Sequence, residues 1–229
     1  MRELAVIADL NNFEIIGILD HHYYGNTADI EGIPVIGDER WLLDDTNSMA
    51  KQFKRTCEFF PANFHQGQQC KSDELDLAKL RLDRINLLDQ SGVTVANLIH
   101  PDASIPPVSK YARYTMGRGV LMCAMACHNG ANIEIGDYCA IMSGSTCTHD
   151  VKLSRNVILA PHTDLYNCIV GENSFIGMHS RMIPVRNNMQ ITIGANVTVW
   201  HCADVVTDIP NNSIYTTDQR ILKKWNYND

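Results

Sequence analysis

His149 and Asp150 stand side by side at the end of a polar run, Ser145-Thr146-Cys147-Thr148. A neutral imidazole near pH 7 can take a proton from an amine or hydroxyl as that group attacks an acyl carbon. A carboxylate beside it can orient the ring and stabilise the imidazolium that forms. The pair therefore suits general-base catalysis of acyl transfer. The tetrahedral oxyanion would need backbone N–H groups or a side-chain donor, and the sequence singles out neither. The competing reading is a surface histidine of a repetitive β structure. A second chemistry competes too, because His128, His149, His162, His179 and His201 all lie in the same half of the chain, His162 and His179 seventeen residues apart. Zinc needs three or four ligands converging at about 2.0–2.1 Å. No tight H-x(4)-H pair is present, so no metal is expected.

The element that must position His149 is a repeat. Beyond His100, small aliphatic residues recur about every six positions, often followed by a small residue: Ile135-Gly136, Leu153-Ser154, Leu159-Ala160, Val170-Gly171, Ile176-Gly177, Ile193-Gly194 and Val199. Ile135 to Leu153 is eighteen residues. Three segments of six per turn describe a triangular solenoid of short parallel strands, with the aliphatic residue pointing into the prism. The spacing slips twice. One residue is missing around His162–Leu165, and five are added near Val185–Gln190, where a projecting loop is expected to cover a groove or to be a tolerated insertion.

Residues 1–99 instead alternate helix and strand. Helices are expected over Arg2–Leu10, from Arg40–Asp44 and over Asp73–Gln90, the last capped by Ser72 and closed by Gly92. Strands are expected at Glu14–Leu19, Ile33–Ile36, Thr56–Phe60 and Val93–Ile99. Such alternation implies a small parallel α/β sheet, with ligands beyond the carboxyl ends of its strands. Asp20, His21 and the Gly37-Asp38 corner fall there. A dinucleotide-type domain opens with a strand and a glycine-rich phosphate loop; this sequence opens in a helix, so either its start is truncated or the domain has lost that phosphate cradle.

The segments LIHPDASI from Leu98, MGRGV (Met116–Val120), IEIGDY (Ile133–Tyr138), SGSTCTHD (Ser143–Asp150) and FIGMHSRMIP (Phe175–Pro184) resemble the sugar O-acyltransferases related to the sialic acid O-acetyltransferases. They are similar in particular to the nucleotide-amino-sugar N-acetyltransferases of the bacillosamine and perosamine pathways. Glu14–Asp20 with Glu31–Asp38 resembles that family's small sugar-nucleotide-binding domain. The resemblance implies a left-handed parallel β-helix at 100–215, an α/β domain at 1–99 and a tail at 216–229. It implies acetyl-CoA as acyl donor, a nucleotide-linked amino sugar as acceptor, and a homotrimer with active sites between neighbouring β-helices. O-acetylation of a sugar is the alternative reaction.

By position, His149 and Asp150 match the family's catalytic pair, and Asp20, His21 and Gly37 the substrate side. Gly177, Met178, Trp200 and His201 should line the pantetheine groove, and Ile158 stands where relatives can carry a histidine. Two departures matter. Trp200-His201-Cys202 replaces a run of glycines, and Thr216-Thr217-Asp218-Gln219-Arg220 replaces a Gly-x-Pro-Ala-Lys-like segment near the CoA nucleotide. Arg220 and Lys223-Lys224 could meet phosphates or form a solvated charge cluster. A catalytically inactive sugar-nucleotide-binding or scaffold protein is the reading of another class.

With 45% apolar and 20% charged residues, the chain has an ordinary globular balance. The net charge of −7 argues against nucleic acid, which calls for a basic face. No apolar run is long enough to cross a bilayer. The eight cysteines include no C-x-x-C pair and read as small buried hydrophobes of a reducing compartment, so a cytoplasmic location is expected.

Overall fold

The computed structural model describes residues 2–62, 77–106, 109–184 and 189–223. The chain divides into two compact units, the second beginning at Ile99.

In the first unit, α1 (Arg2–Leu10) buries Ile7 and Ala8. Strand β1 (Ile18–Leu19) runs parallel to β3 (Ile33–Gly37), and β2 (Asp29–Ile30) pairs antiparallel on β3's other edge. The strand expected over Glu14–Leu19 thus shortens to two residues; Ile15 and Ile16 are 40% and 47% exposed, so burial does not extend it. A 3-10 turn, Glu39–Leu43, takes the place of the helix expected from Arg40, with Asp38 accepting from the Arg40 N–H. Helix α2 (Ser48–Thr56) runs into the strand expected at Thr56–Phe60. Asn47 caps its start, and Thr56 Oγ1 returns to the Gln52 carbonyl at 2.9 Å, which satisfies a β-branched residue inside a last helical turn. Only Phe59 keeps a strand-like bridge, to Val95, and the strand expected at Val93–Ile99 reduces to that bridge and Leu98–Ile99. Helix α3 (Leu77–Ser91) ends before Gly92, whose φ of 65° is left-handed. Its expected start at Asp73 lies outside the described residues. Its buried face includes Arg81 beside Ile85 and Leu88, because the guanidinium reaches the Pro61 carbonyl at 3.3 Å.

The second unit is the solenoid. One face stacks Cys127–His128, Thr146–Cys147, Asp164–Leu165, Arg181–Met182 and Asp204–Val205. A second stacks Tyr114–Met116, Ile133–Ile135, Val151–Leu153, Cys168–Val170 and Ile191–Ile193. The third runs from Leu121–Met122 through Ala140–Ile141, Ile158–Leu159, Phe175–Ile176 and Thr198–Val199 to Ser213–Tyr215. All these pairings are parallel. The closing strand, Ile221–Lys223, turns back antiparallel on Ser213–Tyr215. Ile135, Leu153, Leu159, Val170, Ile176, Ile193 and Val199 all fall in one continuous buried core, as the six-residue spacing requires.

One column of corners holds an asparagine in the left-handed region, with φ of 56° at Asn156, 58° at Asn173, 56° at Asn196 and 55° at Asn212. Asparagine tolerates that conformation, and here it also bonds along the stack: Asn156 Nδ2 donates to Asn173 Oδ1 at 2.9 Å and Asn196 Nδ2 to Asn212 Oδ1 at 2.7 Å.

The register corrects the first slip. Thr146 still pairs with Asp164 eighteen residues on, whereas Val151 pairs with Cys168 after seventeen. The residue is lost after Leu165, at the Tyr166-Asn167 corner. At that same corner one coil later the spacing rises to twenty-three, with the extra residues between Met182 and Ile191. Residues 185–188 of that break lie outside the described residues.

Candidate active site

Thr148, His149 and Asp150 turn the chain from Thr146–Cys147 to Val151–Leu153. Neighbouring coils clamp this corner: the Asp150 N–H donates to the Ala131 carbonyl at 2.9 Å, and the Asn167 N–H donates to the His149 carbonyl at 2.9 Å. Asp150 takes φ of 55°, which turns its side chain alongside the imidazole. His149 Nδ1 lies 2.8 Å from Asp150 Oδ2. The second carboxylate oxygen, Oδ1, accepts from Asn132 Nδ2 at 2.8 Å. Asn132 first, and His149 after it, hold the Asp150 carboxyl below its ordinary value of 3.8. An ionised carboxylate only accepts, so the imidazole proton sits on Nδ1 and Nε2 is the basic nitrogen. The Tyr166 ring stands edge-on to the imidazole, with centroids 4.4 Å apart. Both side chains of the pair are 44% exposed.

Three of these residues escape a sequence reading. Asn132 lies one coil period before Asp150, and counting back eighteen would find it. Tyr166 is hidden by the lost residue in its corner. Gly130 shows no motif; a Cβ there would run into the Thr148 carbonyl and lie 2.6 Å from the His149 nitrogen, so only glycine lets the preceding coil approach this backbone.

The residues expected at the donor groove occupy a different corner. Gly177 is buried, and a Cβ on it would lie 2.5 Å from the His201 nitrogen. The Met178 N–H donates to His201 Nδ1 at 2.8 Å. Met178 and Trp200 are 39% and 48% exposed on either side of this contact. Ile158 is 2% exposed and pairs in register with Phe175, whose ring meets His201 edge-on. His162 and His179 stack on the same corner, planes 6° apart. Arg220 is paired with Asp218 at 2.7 Å in the turn before the closing strand.

The third group lies in the first unit, at the carboxyl end of β1. Asp20 is 5% exposed and its carboxylate is already engaged: Oδ1 accepts from the His22 N–H at 2.9 Å, and Oδ2 pairs with Arg84. Glu39 holds His21 twice, accepting from its N–H at 2.6 Å and meeting Nδ1 at 2.5 Å. Gly37 lets the Trp41 ring lie against the backbone, where a Cβ would sit 2.5 Å from Cζ3. Trp41 in turn meets Tyr24 edge-on at 5.0 Å. The ion pairs fix the turn that follows Asp20 and leave His22, Tyr23 and Tyr24 exposed.

Among the described residues, Asp20, His21 and Glu39 form the one group of three close ligand atoms, and it already holds the Arg84 guanidinium; none of the five solenoid histidines joins such a group. No helix of the described residues is long and apolar enough to cross a membrane.

An α/β unit leading into a left-handed parallel β-helix, with an imidazole–carboxylate pair at a corner, is an acyltransferase arrangement. Solved structures similar to the chain include acetyltransferases. The chain is 25% identical to perosamine N-acetyltransferase from Caulobacter crescentus, solved as a histidine-to-asparagine mutant in complex with CoA and GDP-perosamine; the match covers 96% of this chain and 90% of that one, with a TM-score of 0.73. It is 24% identical to the acetyltransferase domain of PglB from Neisseria gonorrhoeae in complex with acetyl coenzyme A, over 96% and 93% of the two chains, with a TM-score of 0.73. WeeI from Acinetobacter baumannii matches at 18% identity over 95% and 91%, with a TM-score of 0.66. No family model and no curated protein matches the chain. By fold, the chain is similar to these left-handed β-helix acetyltransferases.

Proposed function

We propose that this protein transfers an acyl group, acetyl in the first instance, from coenzyme A to the amino group of a nucleotide-linked amino sugar. The observation that carries the reading is the His149 Nδ1–Asp150 Oδ2 hydrogen bond of 2.8 Å, which leaves Nε2 as a base at a solenoid corner. The amine nitrogen attacks the thioester carbonyl carbon. As the N–C bond forms, His149 Nε2 takes the amine proton. The C–S bond then breaks, and the imidazolium returns that proton to the departing thiolate, giving amide and free CoA. Asp150 keeps the ring in the Nδ1–H tautomer and stabilises the imidazolium between these steps.

His149 and the Gly177-Met178/Trp200-His201 corner stand at opposite ends of one solenoid face in a single chain. A second copy that brings its donor corner to this His149 would complete the site, so the reading includes a homotrimer with three shared sites. Perosamine N-acetyltransferase, with CoA and GDP-perosamine bound, supports both substrate classes. On the acceptor side, the turn held by Asp20, His21 and Gly37 offers exposed aromatics at the carboxyl end of β1. The donor corner is narrower in chemistry than a glycine run: His201 already occupies the Met178 N–H, and Trp200 flanks it. The cytoplasm, where acetyl-CoA and nucleotide sugars meet, is the compartment that fits; the seven described cysteines are all free.

The test is thiol release from acetyl-CoA with GDP-, UDP- and dTDP-linked amino sugars. Turnover that falls by at least about 100-fold in His149→Ala supports the assignment. Sugar-nucleotide binding without any turnover would make the chain a binding or scaffold protein instead, and an ester product would move the reaction to a hydroxyl.

A further inference from the structure

The geometry points to Asn132 as a positioning residue for general-base catalysis: from the coil before His149, its amide holds the far oxygen of Asp150 so that the near oxygen stays on the imidazole. The inference rests on the acyl-transfer reading and adds a residue that lies outside the His149-Asp150 pair.

Asp150 lies on an exposed corner, 44% of its side chain open to water. In the single chain a carboxylate there has soft torsions and water to bond, so one contact to a neighbouring imidazole would hold it only part of the time. Two contacts from opposite directions remove that freedom. Asn132 Nδ2 reaches Oδ1 at 2.8 Å and His149 Nδ1 meets Oδ2 at the same distance, so the carboxylate bridges two coils. Asn132 is itself fixed. Its φ of 59° matches the 55° of Asp150, so both side chains leave the corner in the same sense, one coil apart. The next strands pair in register, Ile133 against Val151, which sets their spacing along the stack. The charged and titratable groups that meet the pair fit this role. Tyr166 touches the ring edge, and the nearby Glu134–Lys152 pair is closed on itself at 2.9 Å. Asn132 is a neutral donor, so it steadies Asp150 without competing for the imidazolium as a lysine or arginine would.

The experiment compares wild-type protein with Asn132→Gly, Asp150→Gly and the double variant, all as full chains. Glycine is chosen because both positions have positive φ, where it removes the side chain without backbone strain. Activity is read as kcat and KM for acetyl-CoA and for the amino-sugar nucleotide. The His149 tautomer is read separately by ¹⁵N NMR of histidine-labelled protein, which needs no turnover. Asn132→Gly should lower kcat about tenfold with both KM values within twofold. It should also shift the His149 ring from the Nδ1–H form toward the mixture seen in Asp150→Gly, and add nothing further in the Asp150→Gly background. The inference is overturned if the ring keeps the wild-type tautomer in Asn132→Gly, or if the two losses multiply. If wild-type protein shows no turnover at all, the function assignment fails, while the NMR comparison still decides whether Asn132 positions Asp150.

Discussion

The proton on His149 is placed by its neighbour, and the charge of that neighbour decides how the enzyme responds to pH. Asp150 is held below 3.8 by Asn132 and His149, so it stays ionised wherever an imidazole changes charge. The kcat/KM profile should therefore show a single acid limb. Asp150→Asn keeps the shape of the corner and removes the charge; steady-state kinetics should give a kcat roughly 100-fold lower with that limb retained. A second histidine makes stability, rather than activity, depend on pH. His128 is fully buried, its Nδ1 3.1 Å from the Tyr114 hydroxyl and its Nε2 without a partner among the described residues. Burial pushes its pKa down from 6.5 to about 4. The unfolded chain binds that proton first, so the contribution is complete above pH 6.5 and is lost as pH falls toward 4. Denaturant titrations should show roughly 3 kcal/mol of stability disappearing across this window, and His128→Met should flatten the slope.

A single coil is too thin to be stable, so its corners have to stack without error. Gly130 shows how little tolerance there is. Its missing Cβ makes room for the Thr148–His149 backbone, and a methyl there meets main chain on a neighbouring coil rather than a side chain that could move aside. Gly130→Ala should lower the unfolding free energy by about 2–3 kcal/mol in denaturant titrations and misplace His149, so activity should fall further than stability alone explains. The asparagine column gives a milder test. Asn156 is 1% exposed, left-handed and bonded to Asn173. Asn156→Ala loses the bond and adds strain, about 2 kcal/mol together, whereas Asn156→Gly loses only the bond; thermal melts should rank them in that order.

At the scale of the whole molecule, the proposed reaction needs the His149-Asp150 pair and the Met178/His201 corner together, but they occupy different edges of the prism. If the protein is a trimer with shared sites, sedimentation should give three times the mass of one 229-residue chain. Mixing two inactive variants, His149→Ala and Met178→Arg, should then restore activity. Each mixed interface can take an intact His149 from one chain and an intact donor corner from the next, about a quarter of interfaces for random assembly. No recovery after co-refolding would place the whole site within one chain.

The solenoid was legible in the amino-acid sequence because its signal is a period: an aliphatic residue every six positions must enter the core, and Ile135, Leu153, Val170 and Ile193 do. The helix over Arg2–Leu10 was legible for the same reason, an apolar stripe at helical spacing. The His149-Asp150 pair could be read because its partners are adjacent in the chain. Contacts that cross from coil to coil left no such trace. Asn132 reaches Asp150, and Tyr166 reaches His149, only after the strands have chosen their register, and the register turned on a residue lost after Leu165 that counting placed too early. The short strands of the first unit were overread for a related reason. Local propensity names residues that can pair, as at Glu14–Leu19 and Thr56–Phe60, but a strand forms only where a neighbour is present to receive its hydrogen bonds, and tertiary structure alone supplies that neighbour.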